Sequence, residues 1–183
     1  MTEERLVKVS RYLSKHLRHQ PERLGLTLES GGWVTVADLL AACAAQGFRF
    51  SRAELDEVVA KNNKQRFSFD DTGQKIRANQ GHSVEVDLEL EPTVPPDVLY
   101  HGTGHQTADA IRREGLDKRA RHHVHLSKDV ATAQNVGARH GRPVVFAVDA
   151  AAMHRAGHLF FCSANGVWLT DVVPPQFLKG HVE

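Results

Sequence analysis

RFSFDDTGQKIRA, residues 66–78, decides how the first half of the chain is read. Two short runs of strand-forming residues flank Thr72-Gly73, a turn signal, so the stretch is expected to form a hairpin. Three helical segments precede it. Leu6, Val9, Leu13 and Leu17 recur at spacings of three and four, which predicts an amphipathic helix over 3–17 that Pro21 keeps from running much further. After the Gly31-Gly32 turn, Thr35 and Asp38 form a capping-box pattern for a helix ending near Gly47. Ser51 and Glu54 repeat that signal for a third helix reaching about Lys61. Three helices followed by a hairpin is the order of a winged helix, an architecture that serves nucleic-acid binding or protein contacts alike.

Working outward, residues 84–97 (VEVDLELEPTVPPD) are acidic, free of Lys and Arg, and end in a Pro cluster, as suits a linker or edge strand. The expected organisation is therefore a first lobe over 1–83, a linker over 84–97 and a second lobe over 98–183. Beyond the linker the β-like runs VLYHG, HVHLS, PVVFAV, HLFFCS and GVWLT alternate with helical stretches near 105–114 and 128–139. Asn165-Gly166 signals a hairpin between two of those runs. The class is α+β with a mainly antiparallel sheet in the second lobe. Neither GxGxxG nor GxxxxGK[ST] occurs, so a Rossmann site and a P-loop are not indicated.

Composition narrows the function. In 183 residues, 41% are hydrophobic and 25% charged, an ordinary globular balance with no membrane-spanning run. The net charge of +1 argues against a broad basic face coating duplex DNA, so nucleic-acid contacts should be local. The beginning of the sequence lacks a secretory pattern, which points to the cytoplasm. Cys43 and Cys162 form no CxxC pair and read as core residues rather than a disulfide or zinc site. Twelve His are unusual and direct attention to their positions.

Five clusters carry polar chemistry. SKHLRH (14–19) crowds Lys15, His16, Arg18 and His19 at a helix end, where cations also complement the helix dipole. KNNKQRF (61–67) places Lys61, Lys64 and Arg66 where the third helix meets the hairpin, either as a solvated turn or as a phosphate grip. IRANQGHS (76–83) sets Arg77, Gln80, His82 and Ser83 after the hairpin. In LYHGTG (99–104), His101, Gly102 and Thr103 stand at a strand end, where amides and a hydroxyl can meet a ligand. In RHHVHLS (121–127), strand alternation would send Arg121, His123 and His125 to one face and His122 and Val124 to the other. Two His on one face also suit a metal, with His101 or Asp129 as a third ligand, but Arg121 beside them would repel a cation. No metal is expected.

In this order and spacing the five motifs resemble the RNA 2'-phosphotransferase family (KptA type), and the closing GVWLTDVVPPQFL is similar to that family's C-terminal strand and tail. The resemblance implies a winged-helix-like RNA lobe facing an ADP-ribosyltransferase-like, NAD-binding lobe, with an Arg-His-Arg-Arg set at the chemistry. These map onto Arg18, His19, Arg66 and Arg121, with Arg119 as the fallback for Arg121. The implied reaction consumes NAD and leaves no metal to be supplied. The RNA 2'-phosphate attacks ribose C1'' and expels nicotinamide. The 2''-hydroxyl of the ADP-ribosylated RNA then attacks phosphorus, giving 2'-hydroxyl RNA and ADP-ribose 1'',2''-cyclic phosphate. By the same resemblance His101, Gly102, Thr103, His123, His125 and Ser127 contact NAD. Lys15, Lys64, Arg77, Gln80, His82 and Ser83 are placed as RNA phosphate contacts. The expected partner is 2'-phosphorylated RNA, tRNA among the candidates, handled by a monomer away from membranes. Two rival readings share these features: an ADP-ribosyltransferase acting on protein or nucleic-acid ends, and a non-catalytic module that binds nucleic acid and NAD.

Overall fold

The structure, a computed structural model, describes residues 1–62 and 64–182. Its chain divides into two compact units, Met1–Glu89 and Leu90–Glu183.

In the first unit, helix α1 (Glu3–Arg18) begins at Thr2, whose side chain accepts from the Arg5 amide. Acidic residues fill its first turn and basic ones its last, both favourable to the helix dipole. Strand β1 (Val34–Thr35), too short to have been read from the sequence, leads into α2 (Val36–Ala45). The α2 cap is half of the expected box. The Thr35 hydroxyl accepts from the Asp38 amide at 3.0 Å and donates to the Asp38 carboxylate at 2.6 Å, so the carboxylate is engaged by the hydroxyl. At α3 (Arg52–Lys61) the box is complete, because the longer Glu54 reaches back to the Ser51 amide. Strands β2 (Phe67–Phe69) and β3 (Lys75–Ala78) form the expected hairpin, and β1 joins to give an antiparallel sheet in the order β1-β3-β2. Leu13, Leu17, Leu39, Leu55, Val58 and Ile76 are fully buried in one core. Truncating such a leucine to alanine typically costs about 2–5 kcal/mol.

The acidic stretch forms no strand. Its first part packs on this unit: the Gly31 amide donates to the Asp87 carbonyl at 2.8 Å, and the Ser30 hydroxyl to the Glu89 carboxylate at 2.6 Å. Its later part belongs to the second unit, where the Thr93 amide donates to the Phe160 carbonyl at 2.7 Å.

The second unit starts with β4 (Val98–Gly104), α4 (His105–Glu114) and β5 (Leu116–Asp117). Strand β6 (Val124–Leu126) and α5 (Val130–Gly137) follow, then β7 (Pro143–Asp149) and α6 (Ala150–Arg155), a helix of six residues that sequence periodicity did not reveal. The remainder is β8 (Phe161–Cys162), β9 (Trp168–Thr170), β10 (Val172–Val173) and β11 (Leu178–Val182). The pairings are antiparallel, in small sheets ordered β11-β7-β4, β6-β9-β8 and β10-β5. Asn165-Gly166 does turn the chain between β8 and β9, with Gly166 at a φ of 78°. Leu99, Leu126, Phe146, Val148, Met153 and Phe160 lie in its core.

The expected strand over RHHVHLS begins only at Val124. Asp117 Oδ1 accepts from the Arg119 amide at 2.7 Å, and Arg119 takes a φ of 49°. The Arg121 amide then donates to the Lys118 carbonyl at 2.9 Å. This turn breaks the alternation expected of residues 121–123, and only Val124, His125 and Leu126 alternate, with His125 outward. Among the described residues no helix is long and apolar enough to cross a membrane.

Helix α5 lies against β4 through glycine. A Cβ at Gly102 would come 1.7 Å from the Ala133 carbonyl oxygen, and one at Gly104 2.2 Å from that of His140. Gly102→Ala is therefore expected to destabilise the protein by about 3 kcal/mol or more. Gly180→Ala, which meets nothing within 4 Å, should stay within about 0.5 kcal/mol of the parent. Urea denaturation of both variants checks the contrast.

Candidate functional site

Three of the five motifs meet in the first unit. Arg18 ends α1, and its backbone carbonyl accepts from the Ser83 amide at 2.9 Å. His19 Nδ1 lies 2.9 Å from Ser83 Oγ, so the C-terminus of α1 is joined twice to the QGHS segment. Arg18 is half-buried, while Lys15, His19 and Ser83 are exposed. His16 is a core residue. It is 6% exposed, donates from Nδ1 to the Tyr12 carbonyl at 2.9 Å and packs on the Tyr12 ring.

Arg66 enters from the segment between α3 and β2. Its Nη1 donates to Asn62 Oδ1 at 3.3 Å, and the same buried amide donates from Nδ2 to Ser10 Oγ of α1 at 3.0 Å. The Lys64 amide also donates to Asn62 Oδ1 at 3.1 Å. Gln65 takes a φ of 39°, and that strained residue is held by Asn79, whose Nδ2 donates to the Gln65 carbonyl at 2.6 Å. The Asn79 amide donates to the Arg66 carbonyl at 2.9 Å. Asn62 and Asn79, both buried, were not singled out in the sequence. Their only signal was their presence inside KNNKQRF and IRANQGHS. Asn63, in the former motif, lies outside the described residues.

Arg77 stacks over Trp33, 4.6 Å from the ring centroid, and its Nη1 donates to the Gly31 carbonyl at 3.3 Å. Burial lowers the pKa of both Arg66 and Arg77, yet a guanidinium stays charged at any working pH. His82 is only 2% exposed, beneath the surface rather than on it, and would lie 3.4 Å from a Cβ placed on Gly32. Gln80 is half-buried.

The other two motifs meet in the second unit. Tyr100 and Ser127 exchange backbone hydrogen bonds at 2.9 and 2.7 Å, which sets β4 beside the end of RHHVHLS. His101 donates from Nδ1 to the His125 carbonyl at 3.1 Å, so its Nε2 is left as an acceptor in the neutral ring. Burial, with help from Arg119 and Arg121, holds the His101 pKa below its ordinary value. Arg121, exposed, donates from Nη1 to His125 Nδ1 at 3.3 Å. His123 packs against Phe161, and burial lowers its pKa too. Thr103 and Thr107 share a hydroxyl hydrogen bond of 2.6 Å, and Thr107 donates onward to the Gly104 carbonyl, so Thr103 spends its proton on Thr107.

The donor set around residues 118–125 is cationic: among the described residues no salt bridge engages Lys118, Arg119 or Arg121. Such a set suits a diphosphate-bearing ligand. Among the described residues no three His, Cys, Asp or Glu side chains are grouped to hold a metal ion.

A common pattern links the two clusters. Arg66 is fixed by an amide oxygen and Arg121 by an imidazole nitrogen. Arg77 is held by a ring and a carbonyl, with the Glu89 carboxylate adding a favourable charge. Three arginines elsewhere are fixed by carboxylates: Arg5 by Glu54, Arg52 by Asp56 and Arg112 by Asp109. An arginine held by a neutral partner keeps its charge for an incoming anion.

Comparison with known proteins matches the RNA 2'-phosphotransferase, Tpt1 / KptA family over residues 4–172. The chain is 65% identical over 179 residues to the "Probable RNA 2'-phosphotransferase" of Nostoc punctiforme, covering 98% of this chain and 99% of that protein. It is 64% identical to the protein of the same name in Streptomyces griseus (97% and 98% covered) and 51% identical to that in Pseudomonas paraeruginosa (98% and 99%).

The lowered His101 pKa has a consequence for stability. Below the ordinary value of 6.5 the unfolded chain takes up a proton that the folded chain resists. The stabilisation is thus present above that value and lost as pH falls toward the folded pKa. Denaturant titrations at pH 7.5 and 5.5 should show stability falling at the lower pH. The fall should be smaller in His101→Gln, which has no proton to gain.

Proposed function

The chain belongs to the RNA 2'-phosphotransferase, Tpt1 / KptA family, and on that basis we propose how its residues perform the family's reaction. The protein is an NAD-dependent RNA 2'-phosphotransferase. In our reading the lobes are winged-helix-like over 1–83 and ADP-ribosyltransferase-like over 98–183, and the enzyme works as a cytoplasmic monomer. The observation that carries the site assignment is the way Arg66 and Arg121 are held, by an amide oxygen and an imidazole nitrogen rather than by carboxylates.

A 2'-phosphate dianion must approach a second anionic substrate and later pass through a more highly charged arrangement at phosphorus. Arg18, Arg66 and Arg121 offset that repulsion by hydrogen-bonding the phosphate oxygens, and Lys15 and Lys64 add charge beside them. Asn62 and Asn79 are positioning residues that fix Arg66 and the turn before it. With the Ser83 hydroxyl donating to Nδ1, His19 keeps its proton on Nε2. From there it donates to the phosphate and exchanges a proton when the ribose hydroxyl attacks phosphorus. Arg77, Gln80 and His82 support this surface from behind, His82 as packing under the Gly31-Gly32 turn.

When bound, NAD supplies the ribose carbon that accepts the phosphate and the neighbouring hydroxyl that carries it away. The residues of the second unit suit it: Arg121 and His125 offer donors to phosphate oxygens, and neutral His101 offers Nε2 as an acceptor to a ribose hydroxyl. Thr103, His123, Ser127 and the backbone at Gly102 complete the surround. The phosphate arrives ionised, so no carboxylate base is required, and the arginines supply the positive charge that a metal would otherwise bring.

The test is incubation of the protein with NAD and a short 2'-phosphorylated RNA without added metal, with all products followed by mass spectrometry. The expected products are 2'-hydroxyl RNA, nicotinamide and ADP-ribose cyclic phosphate. Arg18→Ala, Arg66→Ala and Arg121→Ala should each lower the rate about a hundredfold or more. His19→Ala should cause ADP-ribosylated RNA to accumulate. Full activity in the arginine variants would overturn the assignment, and a lasting adduct with the parent protein would favour an ADP-ribosyltransferase.

A further inference from the structure

Helix α1 carries a second cationic feature beyond Arg18 and His19. Lys8, Arg11 and Lys15 are all exposed and lie at spacings of three and four, on one face of the helix. The same spacing continues from Lys15 to Arg18 and His19. Among the described residues no salt bridge engages Lys8, Arg11 or Lys15, although other cations of this unit find carboxylates, as Arg5 does in Glu54, Lys61 in Glu57 and Lys75 in Glu29. Like charges three and four residues apart repel and cost helix stability. Lys15 lies in the last turn, where a cation favours the dipole, but Arg11 stands between two cations with no such compensation.

Beside it lies a groove of about 790 Å³, lined by Val7, Tyr12 and Phe48 together with the three cations. Tyr12 and Phe48 stack at 3.9 Å and form a firm apolar wall. Glu3 and Glu4 line its far end. Apolar surface with cations along it matches the two parts of a nucleotide, a base and sugar with little charge and a phosphate with much.

We propose that this groove holds RNA that flanks the 2'-phosphate, with Lys8 and Arg11 pairing with backbone phosphates and Tyr12 and Phe48 packing against a nucleoside. The inference rests on the proposed function, since it takes Arg18 and His19 as the place where the 2'-phosphate sits. From Lys8 to Arg18 the helix rises roughly 15 Å, enough for a few nucleotides. The carboxylates of Glu3 and Glu4 end the track, which accords with a net charge of only +1 and with a short footprint. Charge complementarity and continuity with the SKHLRH cluster favour RNA over an acidic protein.

The test compares a minimal 2'-phosphorylated dinucleotide with RNAs extended by four nucleotides on the 5' side, the 3' side or both. Steady-state kinetics are run over a series of salt concentrations. The parent protein should show a lower KM for RNA extended on one side. Lys8→Ala with Arg11→Ala should raise the KM of that RNA about tenfold, toward that of the dinucleotide, with kcat retained. It should also flatten the salt dependence of log kcat/KM by about 1.4, two contacts at roughly 0.7 each for a single strand. Lys8→Glu with Arg11→Glu should widen the KM effect, and circular dichroism checks that α1 is intact. A parent protein that turns over every length with one KM, or a double variant indistinguishable from the parent on extended RNA, overturns the proposal and leaves the stripe to an acidic protein partner. A parent protein that leaves every RNA unchanged fails earlier, at the proposed function itself.

Discussion

Under the proposed function each arginine must meet a phosphate, and within each unit the fold must hold it without cancelling its charge. A carboxylate would fix an arginine firmly, but it would also neutralise it and compete with the phosphate for its donors. At two candidate positions the partners are instead an amide oxygen for Arg66 and an imidazole nitrogen for Arg121, while Arg77 lies on an indole ring and a carbonyl with Glu89 acting from nearby. Such contacts orient a guanidinium while leaving its charge in place. The cost is desolvation, visible in the lowered pKa values of Arg66 and Arg77, and only arginine can bear it and remain fully charged.

The rest of each unit can be understood as support for that arrangement. The hairpin of β2 and β3 returns the chain from Arg66 to Asn79, so the two ends of the loop can hydrogen-bond each other. Four residues later, Ser83 reaches the end of α1, and Asn62 closes the circuit to Ser10 on the same helix. In the second unit, Gly102 lets α5 lie directly on β4, Gly104 lets the chain at His140 approach it, and the Tyr100–Ser127 bridge sets His101 beside the His125 carbonyl. Backbone packing therefore decides which imidazole nitrogen is left to meet a ligand.

Signals carried by local chemistry were legible in the sequence. The Ser51-Glu54 box, the Thr72-Gly73 and Asn165-Gly166 turns and the period of α1 all act within a few residues. Strands of two residues and the short α6 leave too little pattern to read, because their place is set by partners far along the chain. RHHVHLS misled for a similar reason: alternation was visible, but the Asp117 contact that turns residues 119–123 away from the strand was not. The resemblance supplied the charged members of the candidate site. It did not supply Asn62 and Asn79, whose importance comes from burial and from which group each amide faces, nor did it show that His16 and His82 lie inside the unit.

The account is tested most directly by giving Arg66 a carboxylate for its neutral partner. Asn62→Asp keeps the size of the side chain, and the Ser10 hydroxyl, which accepts from the Asn62 amide, can turn to donate to the carboxylate, so the fold should persist. Equilibrium binding of matched RNAs with and without the 2'-phosphate, measured without NAD, reads the effect on the site. The account predicts that the parent protein prefers the phosphorylated RNA and that Asn62→Asp loses about tenfold or more of that preference at unchanged stability. An Asn62→Asp protein that keeps the full preference would contradict the idea that Arg66 must be held by an uncharged partner.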